Sequence, residues 1–72
     1  MTNETTKLIC LGRNIFNARK QKGFSQNELA EMLDISREHL AKLETGKRRI
    51  SLKLLFKISD ILEVLESDLL NW

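Results

Sequence analysis

The side chains of this chain that could do chemistry are mostly charged, and they are unevenly spread. Lys47-Arg48-Arg49 is a run of three cations, with Arg37, Glu38 and Lys42 a short way upstream. Such groups bind anions and form hydrogen-bonded forks rather than breaking covalent bonds. There is one cysteine, Cys10, and one histidine, His39. Neither a tetrahedral metal site nor a disulfide framework can be assembled from them. Nothing resembles a nucleophile beside its base or a phosphate-cradling glycine loop. The expectation is a protein with no catalytic residues, no cofactor, no metal and no evident small-molecule ligand.

The net charge of +2 hides a block pattern. Residues 1–22 hold five cations against Glu4 alone, and residues 23–36 hold Glu28, Glu31 and Asp34 with no cation. Residues 37–57 hold seven cations against Glu38 and Glu44, and residues 58–72 hold Asp60, Glu63, Glu66 and Asp68 unopposed. Basic blocks of this kind suit either a solvated face or a polyanion such as nucleic acid.

Positioning those groups falls to a single small domain, because 72 residues permit no more. A chain of this length sits near the limit for one unaided hydrophobic core, so tight helix packing or a partner subunit is expected to supplement it. No segment approaches the roughly 18 apolar residues of a membrane span. The start, MTNETTK, lacks the features of a secretory signal. A soluble, cytoplasmic protein is expected.

Periodicity predicts an all-α fold of five helices. Residues 1–6 are polar and read as a loose N-terminal tail, with residues 7–72 forming the domain. The first helix starts near Thr6, since Leu8, Leu11, Ile15 and Ala18 recur at three- and four-residue steps and Phe16 widens the stripe. Cys10, among apolar neighbours, reads as a small buried hydrophobe. Gly23, just past Lys20 and Lys22, ends the helix. Ser25-Gln26-Asn27-Glu28 matches a capping box, with Phe24 before it as a hydrophobic staple. Helix two follows from Gln26 to about Leu33. Ser36 caps a third helix over Arg37–Glu44, ended by Gly46, and Ser51 caps a fourth from Leu52 to about Leu62. A short fifth helix is expected near Ser67–Asn71.

Two short helices joined by three or four residues must cross steeply. A small side chain is needed where they meet, and Ala30 is there. The turn needs an unusual backbone conformation, and Asp34 occupies it. Leu29, Ile35, Leu40 and Leu43 have the spacing to fill the angle between the helices. That leaves Arg37, Glu38, Ala41 and Lys42 on the outer face.

With these features in hand, residues 25–46, SQNELAEMLDISREHLAKLETG, resemble the helix-turn-helix of the lambda-repressor/Cro-like family. The likeness runs over about residues 12–70, and the stretch from Ser36 to Leu52 is also similar to restriction–modification controller proteins. The resemblance assigns Leu52, Leu55, Ile58, Leu62, Val64 and Leu69 to the core. Asp34 and Glu63 stand where glycine is common, Ile50 where proline is, and Ser59 where alanine is.

The resemblance implies a double-stranded DNA-binding regulator of transcription with helix three in the major groove. By position, Ser36, Arg37, Glu38 and Lys42 would contact bases. Arg37 can present a fork to guanine, and Glu38 can accept from cytosine. Gln26, Asn27, His39, Lys47, Arg48 and Arg49 would contact the DNA backbone, Gln26 by its side chain and the helix-end N–H groups. Arg19 and Glu44 would form a structural ion pair.

Helix four carries more apolar residues than one core face needs. Leu54, Ile61 and Leu65, with Leu70 and Trp72, are expected to form a dimer interface, which would set two reading helices ~34 Å apart on a palindromic operator. The alternative is an antitoxin-type or other protein–protein module in which the same surface covers a partner chain.

Overall fold

Every helix start in this computed structural model, which describes residues 3–71, is fixed by a local cap. α1 spans Glu4–Lys22, because the Asn3 side chain accepts the Thr6 N–H at 2.8 Å. The expected tail is therefore shorter than the sequence suggests. Residues 4–6 are helical, and the cap, not the first apolar residue, decides where the helix begins. α1 ends at Gly23 in the left-handed region, with the Phe24 N–H donating to the Arg19 carbonyl at 3.2 Å.

α2 spans Gln26–Leu33 behind a complete capping box: the Glu28 N–H donates to Ser25 Oγ, and the Ser25 N–H to Glu28 Oε1. These bonds hold the Glu28 carboxyl below its ordinary pKa. α3 spans Arg37–Glu44 and α4 spans Leu52–Leu62, capped by Ser36 and Ser51. α5, Glu66–Leu69, starts one residue earlier than expected and ends two earlier. The Asp68 carboxylate accepts the Leu65 N–H and opens it. Asn14 of α1 closes it by donating to the carbonyls of Leu69 and Asn71, both at 2.9 Å.

The helices enclose one core of Leu11, Ile15, Ala18, Leu29, Ala30, Leu33, Leu40, Leu55, Ile58, Leu62 and Leu69. Phe24 packs against it before α2. Ser59 is buried in place of an alanine and stays satisfied, since its hydroxyl donates to the Val64 carbonyl at 2.6 Å. Leu52 departs from its expected core role. It is 69% exposed, while Ile50, just before α4, packs against the core. Cys10 is half-buried rather than enclosed. Phe16 lies 41% exposed as a lid over Arg19, whose guanidinium carbon sits 5.2 Å from the ring centre. Among the described residues, no helix is long and apolar enough to cross a membrane.

Candidate nucleic-acid interface

The angle between α2 and α3 is set by the turn that joins them. Asp34 adopts φ 58°, ψ 42°, and the next N–H, of Ile35, donates back to the Ala30 carbonyl at 3.0 Å. Glycine enters this region most easily, and Asp is among the few other residues that tolerate it. Ala30 is 2% exposed beneath the crossing, where a larger side chain would push the helices apart.

A polar clamp then locks α3 to the rest of the fold. Arg19 of α1 reaches Glu44 with two parallel hydrogen bonds, Nε to Oε2 at 2.7 Å and Nη2 to Oε1 at 3.1 Å. Its Nη1 donates to the Phe24 carbonyl at 2.8 Å, so one guanidinium ties α1, the turn before α2, and the end of α3. Both side chains are almost fully enclosed. A buried pair of this kind is tolerable only when every lone pair and proton is used. Among the described residues, no buried side-chain nitrogen or oxygen lacks a partner.

Gln26 completes that network. Its amide Nε2 donates to Glu44 Oε1 at 2.9 Å, which ties its side chain to the clamp. The contact has a plain cause: Glu44 Oε1 is buried and takes a second donor beside Arg19 Nη2. The capping box uses the N–H groups of Ser25 and Glu28, while those of Gln26 and Asn27 find no protein acceptor among the described residues.

Two glycines that sequence reasoning gave little or no part bring α1 against α3. A Cβ on Gly12 would run into the carbonyl oxygens of Leu43 and Glu44, and one on Gly46 would strike the Ile9 backbone at 2.7 Å. Gly12 stands within a regular helix, so only the close approach betrays it. Gly46 was legible as a helix stop, but not as a contact.

With its inner face held by Leu40, Leu43 and Glu44, α3 turns Arg37, Glu38 and Lys42 to solvent. Lys42 Nζ lies 3.3 Å from Glu38 Oε1, an exposed pair one turn apart that neutralises both until something competes for them. Arg37 has no ion-pair partner among the described residues. Ser36 Oγ accepts the His39 N–H at 2.9 Å, which leaves its hydroxyl hydrogen and one lone pair to offer outward.

His39 is half-buried and leans toward α4. Burial holds its imidazole below the ordinary histidine pKa, and the charges of Arg48 and Lys42 push the same way. Lys47 and Arg48 are exposed on the loop beyond α3. Arg49 is not equally available, because its Nη2 donates to Glu4 Oε2 at 3.1 Å. That contact escaped sequence reasoning because Glu4 was assigned to the tail.

The helix-turn-helix family model matches residues 15–69, which takes in the clamp, the crossing and the core of α4 and α5. The chain belongs to this helix-turn-helix family. Its likeness to the lambda-repressor/Cro-like group holds in both sequence and fold. The YonR regulator of a Bacillus subtilis prophage is 42% identical over 53 residues, covering 74% of this chain and 49% of that protein. The SinR regulator of Bacillus licheniformis is 36% identical over 62 residues, covering 85% and 56%. This family member thus spans about half the length of the curated relatives it matches. Two crystal structures share its fold. The restriction–modification controller C.AhdI from Aeromonas hydrophila superposes with a TM-score of 0.80 at 29% identity, covering 86% of this chain and 94% of that one. The clp gene regulator ClgR from Corynebacterium glutamicum gives 0.87 at 31%, covering 94% and 72%.

Proposed function

We propose that this helix-turn-helix protein regulates transcription in the cytoplasm by binding double-stranded DNA, with α3 in the major groove. The reading rests on one observation above the rest: Arg37 opens α3 on a face held outward by the Arg19–Glu44 clamp, with no ion-pair partner among the described residues. A guanidinium so placed offers a fork to guanine O6 and N7. Glu38 and Lys42 would exchange their mutual pair for base edges, Glu38 accepting from a cytosine amine. Ser36 would donate its hydroxyl hydrogen.

Phosphates on one strand would meet the N–H groups of Gln26 and Asn27 and the positive end of α2. Those on the other would meet Lys47, Arg48 and His39, with Arg49 joining once it releases Glu4. These contacts supply affinity and salt dependence without reading sequence. A homodimer joined through α4 and α5 would place two reading helices about one DNA turn, ~34 Å, apart. Of the interface residues expected from sequence, Leu65 and Leu70 are exposed, whereas Leu54 and Ile61 are partly absorbed against the core. Trp72 lies outside the described residues.

Selection of duplexes from a random pool tests the reading. The expected winner is an inverted repeat with half-site centres one helical turn apart. A pool that shows no enriched motif after repeated rounds contradicts it.

A further inference from the structure

Between the α2–α3 turn and the start of α4 runs an open groove of about 260 Å³. Leu33, Ile35 and Leu54 form its apolar floor, and His39, Lys53 and Lys57 its polar rim. A sugar–phosphate backbone has no apolar side chain to seat on that floor, so the duplex does not account for it. Size narrows the occupant further. Most small-molecule sites enclose ~300–1,000 Å³, whereas this groove is smaller and open. It suits one or two side chains of a larger partner.

Charge fixes the sign of that partner. Lys53 and Lys57 stand one turn apart on α4, and neither has an ion-pair partner among the described residues. Lys57 donates to the Leu33 carbonyl at 3.3 Å, which holds its ammonium beside the floor and leaves two N–H groups to offer. Among the described residues, no carboxylate lines the groove. The nearest acids in sequence are Asp34, exposed in the turn, and Glu38, already paired with Lys42. An apolar floor with a cationic rim complements an apolar side chain flanked by acids.

We infer that the groove receives an acidic segment of a partner protein, which seats a large apolar side chain on Leu33, Ile35 and Leu54 and sets carboxylates against Lys53 and Lys57. Leu65 and Leu70 lie outside the groove, so the homodimer proposed above, held through them, leaves it open. The inference goes beyond the DNA-binding reading but bears on it. His39 lines the groove and also belongs to the proposed DNA surface, so an acidic occupant places carboxylates beside that surface and weakens duplex binding.

Selection of random peptides displayed on phage against the folded protein tests this. The enriched peptides are then titrated by fluorescence anisotropy with the wild type, Lys53→Glu and Leu54→Ala, and circular dichroism verifies that all three are folded. The expected winners carry a large apolar residue flanked by Asp or Glu. Each variant should bind them at least about tenfold more weakly, and they should lower the affinity of the wild type for a selected duplex. Enrichment of no peptide family, or of peptides without acids, overturns the proposal. So does equal affinity for all three proteins. Self-association of the wild type that both variants lose would give the groove to a second copy of this chain, which overturns it as well. A wild type that binds the acidic peptides through these residues but binds no duplex upholds the groove and removes the DNA-binding reading.

Discussion

The two halves of the molecule secure their helices by opposite means. Around α3, the contact is polar and enclosed: Arg19, Glu44 and Gln26 share a fully satisfied network beneath a helix whose outer face is hydrophilic. Around α4 and α5, the core is apolar but for Ser59, and large apolar side chains stand among the outer charges, with Leu52, Phe56, Leu65 and Leu70 exposed. A directional clamp fixes orientation, which a helix that must present Arg37 at a set angle requires. A greasy exterior fixes little within one subunit, but it favours covering by another surface.

The contrast predicts unequal penalties. Glu44→Ala leaves the Arg19 guanidinium enclosed without its counter-ion and should lower unfolding free energy by ~3–5 kcal/mol, read by thermal or urea denaturation. In the α5 half, Asn14→Ala removes two neutral hydrogen bonds to the Leu69 and Asn71 carbonyls. Its cost should be about 1–3 kcal/mol, at ~0.5–1.5 per bond. Equal penalties would mean that the clamp is no more than another surface contact.

A smaller effect concerns His39. Its pKa is depressed in the folded chain by burial first and by Arg48 and Lys42 second. A depressed histidine binds fewer protons folded than unfolded, so the free protein should lose stability as pH falls below the unfolded value of ~6.5 and through the folded one. An adjacent phosphate would reverse the balance by favouring the imidazolium. Duplex affinity should therefore rise as pH drops from about 8 to 6, and His39→Gln should flatten that rise. Titrations of both proteins by fluorescence anisotropy at fixed ionic strength distinguish these outcomes.

What the sequence displayed openly was whatever repeats locally. Ser25 with Glu28, Ser36 and Ser51 are capping signals that need no tertiary information, and they lie directly before α2, α3 and α4. Asp34 and Glu63 were visible as oddities at glycine positions, and both indeed adopt positive φ. What stayed hidden depends on distant partners. Gln26 turns inward because Glu44, far along the chain, holds an unfilled lone pair, and nothing local signals that. Gly12 is needed only because α3 passes against it. Leu52 and Leu54 differ by two positions on an apolar helix, and the family resemblance placed the more exposed one inside. The N-terminal cap at Asn3 was overlooked because the search began from apolar residues.

The claim on which the rest turns is that α3 presents Arg37 to the edges of base pairs. Its most direct test compares wild type and Arg37→Ala on the duplex obtained by selection and on a scrambled duplex, at one salt concentration. Loss of a bidentate guanine contact, ~1–3 kcal/mol, should weaken the selected duplex roughly 5- to 150-fold, leave the scrambled one little changed, and leave the melting temperature unaltered. Equal affinities of both proteins for the selected duplex would contradict the account.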